Sequence, residues 1–178
     1  MKTGNWLIAL AGLVLTLGGI TARASEEAPA PDMETQTFGA WTMRCVTQEG
    51  AVPPCDIGQA VTNRDTGQTV MRVSFAYLAD KGQYAVQILL PLGFLIPSGV
   101  LVRIEEGPDI TDWPVTRCGP QGCLVEKLVA ADVLDPFRAH DKGSVAVLDV
   151  QGKPIAFPLS LTGFTKAMDA MTARNKAE

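Results

Sequence analysis

The chain has 178 residues, of which 47 % are hydrophobic and 19 % charged, with a formal net charge of −4. That length and hydrophobicity suit one domain with a core of its own. An acidic balance without a basic run excludes a nucleic-acid binder, which needs a positive stripe for phosphates, and argues against docking on anionic lipid.

Residues 1–24 read as a secretory signal peptide. Lys2 gives a positive start, residues 6–20 are apolar and free of charge, and Ala22-Arg23-Ala24 is an A-x-A cleavage signature ahead of Ser25-Glu26-Glu27. An uncleaved anchor is the rival reading, but the run is short for a span of about 20 residues. No cysteine follows it to carry lipid, and no twin arginine precedes it. Cleavage removes Lys2 and Arg23 and moves the formal charge from −4 to −6. The expected address is the periplasm, with the outer surface or the medium as alternatives, and no stable membrane span remains after cleavage. Residues 25–37, SEEAPAPDMETQT, are polar and aperiodic and read as a flexible leader.

From Phe38 to residue 173 the chain reads as a single β-rich domain. Trp41, Met43 and Cys45 alternate with polar neighbours. So do Met71, Val73, Phe75 and Tyr77 after the turn NRDTG, and Tyr84, Val86, Ile88 and Leu90 after Asp80-Lys81-Gly82. Val100, Val102 and Ile104 repeat the pattern, as do Val145 with Val147 and then Ile155, Phe157, Leu159 and Leu161, with Gln151-Gly152-Lys153 turning between the last two. Many short alternating strands between Gly/Pro turns predict an all-β fold, mostly an antiparallel sandwich or small barrel-like sheet pair. One or two short helices are expected with it. Phe164, Ala167, Met168 and Met171 follow helical spacing and predict a C-terminal helix; residues 130–139 start as a helix that Pro136 must end or restart. Residues 174–178, RNKAE, read as a charged tail. An outer-membrane barrel fits poorly, since its strands would need about ten residues and an apolar outer band.

The most apolar internal stretch is ILLPLGFLIPSGVLV, residues 88–102, cut by Pro91, Gly93, Pro97 and Gly99. It predicts two buried strands joined by a loop tucked over the sandwich end. The same loop is the candidate partner-binding segment, through Leu92, Phe94, Leu95 and Ile96, should those side chains be exposed.

Four cysteines are spaced C-x9-C and C-x4-C. In an exported chain an even count reads as disulfides. Cys45 with Cys55 and Cys118 with Cys123 are the expected pairs, because each flanks a Gly/Pro-rich connection, and each should contribute on the order of 2–4 kcal/mol. A four-cysteine zinc site wants tighter spacing, and a thioredoxin-like pair wants C-x-x-C at a helix start.

No catalytic set emerges. His140 beside Asp141 reads as a helix-end histidine rather than a general base. Asp65-Thr66-Gly67 matches the aspartic-protease tripeptide, yet it follows polar Asn63-Arg64 and suits a hairpin turn. Glu105, Glu106, Asp109 and Asp112 in EEGPDITD would suit a weak calcium site only with a spacing they lack, so a solvated acidic turn is preferred. Neither metal nor cofactor is expected.

Taken together, FGAW with Cys45 and Cys55, the DTGQ turn, LLPLG, IPSGV, RCGPQGC and GKPIAFPLSLTGFTKAMDAM resemble, in order and spacing, the invasion-associated locus B family of exported alphaproteobacterial proteins. The likeness runs over residues 38–171. It implies a β-rich domain with two local disulfides in the cell envelope, a link to host-cell entry, and no catalytic motif. Pro136 departs from the cleaner helix expected there. The function expected is a non-enzymatic binding or accessory module with an unidentified envelope or host protein as partner. The alternatives are a secreted virulence accessory contacting host cells and a periplasmic thiol-disulfide protein using Cys118 and Cys123.

Overall fold

The computed structural model describes residues 32–177 apart from 48, 49, 52, 106 and 108, with only the backbone of Asp112. The expected signal peptide and residues 25–31 of the expected leader lie outside the described residues. The strands are β1 (Met33–Phe38), β2 (Trp41–Val46), β3 (Cys55–Thr62), β4 (Thr69–Leu78), β5 (Gln83–Leu90), β6 (Val100–Ile104), β7 (Ile110–Trp113), β8 (Val115–Gly119), β9 (Gly122–Val129), β10 (Lys142–Leu148) and β11 (Pro154–Ser160). The alternating segments are β2, β4, β5, β6, β10 and β11, and each turns one face inward. Seven make one sheet in the order β1-β2-β3-β4-β5-β9-β8, and four make a second in the order β11-β10-β6-β7. Every pairing is antiparallel.

The two sheets stack face to face. Val73, Phe75, Val86 and Ile88 of the large sheet and Val102, Trp113, Val145 and Leu159 of the small one line a single gap with no room for water. All of them are buried. The remaining inner face, along β2 to β4, is covered by helix α2 (Phe164–Lys176). Its stripe of Phe164, Ala167, Met168 and Met171 is fully buried, as the helical spacing required.

An aromatic node joins these layers. Phe75 of β4 meets Trp41 of β2 edge-on at 5.6 Å, Phe164 of α2 at 5.2 Å and Phe137 of α1 (Asp135–Ala139) at 5.9 Å. Such pairs add about 0.5–1.5 kcal/mol each beyond the area they bury. The Trp41 indole N–H donates to the Ser160 carbonyl at 3.0 Å, so the large ring is buried without an unpaired donor.

Two glycines allow the chain's turns to meet backbone to backbone. Gly39, between β1 and β2, has φ +60°, and Gly163, before α2, has φ +87°. A Cβ on Gly163 would strike the Phe38 carbonyl, and one on Gly39 the Thr162 carbonyl. The Ala40 N–H donates to Thr162 O at 3.0 Å across that junction.

Two boundaries differ from the sequence reading, and a third that it left open is decided. The leader does not extend to residue 37: Met33–Phe38 is a strand, and its register runs from Met33 opposite Val46 to Phe38 opposite Trp41. Its side chains are mostly exposed, so pairing with β2 rather than burial holds it. The charged tail is not a tail, because α2 continues through Lys176 and buries Asn175. Pro136 restarts rather than ends its helix. A 3-10 turn over Ala131–Leu134 passes into α1 with the proline in its first turn, where no amide is missed.

Candidate binding surfaces

After β5 the chain meets Pro91 and Gly93, whose φ of +102° ends the strand. The loop then folds over the sandwich end. Phe94 forms an isolated bridge with Asp149 and is only 8 % exposed, while the Leu95 N–H donates to Leu148 O at 2.8 Å. A 3-10 turn over Ile96–Ser98 leads into β6. Of the four candidate contact residues, Phe94 is therefore excluded, since it plugs the core, and Leu95 is half-buried. Leu92, at 58 % exposure, and Ile96, at 47 %, stand outside.

Across the bridge lies the β10–β11 turn, held rigid by Asp149, whose Oδ1 accepts from the N–H groups of Gln151 at 2.9 Å and Lys153 at 2.8 Å. That turn and the start of β11 present Val150 and Ile155, both exposed. Among the described residues the exposed large apolar side chains are Met33, Leu92, Ile96, Leu128, Val150 and Ile155, so four of the six sit on two segments hydrogen-bonded to each other. Val150 and Ile155 were missed from the sequence. The available signal was an apolar residue inside the otherwise polar turn DVQGK.

The outer face of the large sheet is a second surface, a shallow groove of about 350 Å³ with Gly58, Ala60 and Ser74 as its floor and Arg44 and Arg72 on its walls. Arg44 is committed to Asp56 through two hydrogen bonds, one at 3.0 Å, and that bonding raises its guanidinium pKa. Arg72 is exposed, with no ion pair among the described residues.

The cysteines form Cys45–Cys55, across β2 and β3 with Cα atoms 4.1 Å apart, and Cys118–Cys123, across β8 and β9 at 4.0 Å. In both cases the partners face each other in the ladder. Cys45, Cys55 and Cys123 are buried; Cys118 is exposed. The remaining polar candidates are not brought together. Asp65-Thr66-Gly67 forms the β3–β4 turn, with Asn63 Oδ1 accepting from the N–H groups of Asp65 at 2.8 Å and Thr66 at 3.1 Å. His140, just past α1, contacts Glu105 at 2.9 Å. Asp109 is gripped by Arg103 through two hydrogen bonds of 2.6 Å, which hold its carboxyl below the usual carboxylate range. Glu105 thus contacts His140 and Asp109 is paired with Arg103, rather than both facing a shared centre, and no group of three metal-ligating side chains occurs among the described residues. No helix among them is long and apolar enough to cross a membrane.

Comparison with known proteins places this arrangement in context. A family model described as invasion associated locus B (IalB) protein matches residues 41–172. An invasion protein B homolog from Brucella abortus is 27 % identical over 172 residues, covering 95 % of this chain and 96 % of the relative. Invasion protein B of Bartonella bacilliformis is 24 % identical over 145 residues, or 80 % of this chain and 76 % of that one. The crystal structure of invasion associated protein B from Bartonella henselae superposes with a TM-score of 0.71 at 25 % identity, covering 81 % of this chain and 98 % of the other.

Proposed function

The chain belongs to the invasion associated locus B family, and from that premise we propose that it is an exported, non-enzymatic binding module of the cell envelope that docks a partner protein on the apolar end of its sandwich. The observation that carries the reading is the grouping of Leu92, Ile96, Val150 and Ile155 on two segments bonded to each other and anchored by Phe94. A preorganised apolar patch binds without the entropy cost of ordering a loop. Fully burying an exposed side chain of this kind is worth about 1.5–3 kcal/mol, and these four keep about half of their surface in water, so the patch contributes on the order of 3–6 kcal/mol towards association.

The test is crosslinking in the producing cell with the full chain and with Leu92→Asp/Ile96→Asp. Folded variants are expected to lose the neighbours captured by the wild type. An unchanged set of neighbours, in unchanged yield, would remove this end of the molecule from consideration. Export is read from the A-x-A signature, and it predicts a mature protein beginning at Ser25 in the periplasmic fraction. A cytoplasmic pool retaining Met1 would contradict it.

A second reading, a secreted accessory that contacts host cells, is favoured by the names of the Brucella and Bartonella relatives. Recovery of the protein from the medium or outer surface rather than from periplasmic shock fluid separates it from the first.

A further inference from the structure

The two disulfides occupy opposite kinds of site. Cys45–Cys55 joins two interior strands of the large sheet, both cysteines are buried, and the Cys55 N–H and carbonyl are bonded to Asn175. Cys118–Cys123 closes the hairpin between β9 and the edge strand β8, whose side chains are largely exposed. In this pair Cys123 is 2 % exposed, while Cys118 belongs to the exposed run of β8. The turn between them packs on the end of β5, where Gly122 has φ +134° and lies against the Leu90 carbonyl. Strand β9 is thus held independently of the bond, by its full ladder with β5.

Thiol–disulfide exchange requires a thiolate to reach one sulfur along the line of the sulfur–sulfur bond, so access selects the atom attacked. We propose that Cys118 is a thiol-exchange site for low-molecular-weight thiols of the glutathione class, and that Cys45–Cys55 is inert to them in the folded protein. The thiolate sulfur bonds to Cys118 Sγ, the Cys118–Cys123 bond breaks, and its electron pair leaves on Cys123 Sγ, which takes a proton from water. The product is a mixed disulfide on Cys118 and a free thiol on buried Cys123. One disulfide is exchanged for another, so no separate oxidant is required. Only β8 loses a covalent tie, and an edge strand with exposed side chains gives up little core packing when it loosens. The inference concerns a bond outside the apolar end and stands whether or not that end binds a partner.

The experiment treats the oxidised, folded full chain with graded reduced glutathione, traps products by rapid alkylation and maps them by peptide mass spectrometry. Glutathione on Cys118 together with alkylated Cys123 is expected at thiol concentrations at least tenfold below those that open Cys45–Cys55. Circular dichroism should remain native at that stage. Opening of Cys45–Cys55 first, simultaneous opening of both bonds with loss of fold, or glutathione on Cys123 would each overturn the proposal. A second measurement compares the single-cysteine reactivity of Cys123→Ser and Cys118→Ser towards an aromatic disulfide reagent. The Cys118 thiol left by the first is expected to react at least tenfold faster than the Cys123 thiol left by the second; equal rates would overturn the assignment.

Discussion

The side-chain amide of Asn175 replaces a strand opposite Cys55. Its Oδ1 accepts from the Cys55 N–H at 3.1 Å, and its Nδ2 donates to the carbonyls of Cys55 at 2.9 Å and Tyr77 at 3.0 Å. The β3–β4 ladder reaches only to Ile57 opposite Phe75. Beyond that rung the strands part, and the amide from α2 serves both. Nearby, the Tyr77 N–H donates to Met171 Sδ at 3.1 Å and Lys176 lies 5.3 Å over the Tyr77 ring.

Asn175→Ala strands those buried backbone groups. Leaving buried polar groups unpaired costs about 1–3 kcal/mol each, so a loss of roughly 2–4 kcal/mol in urea unfolding is expected, with the far-UV spectrum unchanged below the transition. Deleting residues 174–178 should destabilise to a similar degree. A truncated chain as stable as the full one would show that the last helical turn is ornamental.

Gln59 makes the same kind of contact between the sheets. Its Oε1 accepts from the Ser160 N–H at 3.0 Å and its Nε2 donates to Ser160 O at 2.8 Å, tying β3 to the end of β11. Gln59→Glu keeps the acceptor but sets a carboxylate oxygen against the Ser160 carbonyl. A fall of about 1–2 kcal/mol in unfolding free energy is expected, and Gln59→Leu should fall within the same range.

The loop after β5 should show a sharp contrast in stability. Phe94→Ala removes a core ring and is expected to cost about 3 kcal/mol or more. Leu92→Asp, two residues away and exposed, should change stability by no more than about 0.5 kcal/mol. Thermal melts of the two variants check both. Equal effects would mean the loop does not divide as described.

Asp109 should titrate below an ordinary aspartate, because the Arg103 hydrogen bonds favour its charged form. Its folded pKa is lowered, so whatever stability the pair gives is complete above the unfolded value and is lost as pH falls through the folded one. Both groups are exposed, so the expected readout is the carboxyl titration by NMR rather than a change in melting. Arg103→Ala should return Asp109 to the usual range, and added salt should move the wild-type value part of the way.

Much of this fold was legible because alternation reports burial directly. Trp41, Met43 and Cys45, or Met71, Val73 and Phe75, point inward at every second position. The helix stripe from Phe164 to Met171 was equally plain. β1 was not legible, since METQTF buries almost nothing and is a strand only because β2 lies beside it. β7 and β8 escaped notice for a related reason, each an edge of four or five residues with Pro114 between them, and β3 and β9 escaped it too although both lie inside the large sheet. The disulfide partners could be read from their loops, but which bond faces solvent could not, because that follows from β8 lying at the edge of the large sheet, with Cys118 exposed, and from β2 and β3 lying inside it. Likewise, nothing in ILLPLGFLIPSGVLV distinguishes Phe94 from Leu92; the bridge to Asp149 does.

Pro114 is the sole residue between β7, at the margin of the small sheet, and β8, at the margin of the large one. Along that flank the layers share a continuous covalent spine. Along the opposite flank they meet through the Gln59 clasp, the Trp41 indole and the Ala40–Thr162 contact, all of them non-covalent. Any breathing of the molecule should therefore resemble a book opening away from its binding. Amides around Ser160 and Thr162 should exchange with deuterium well before those of β9.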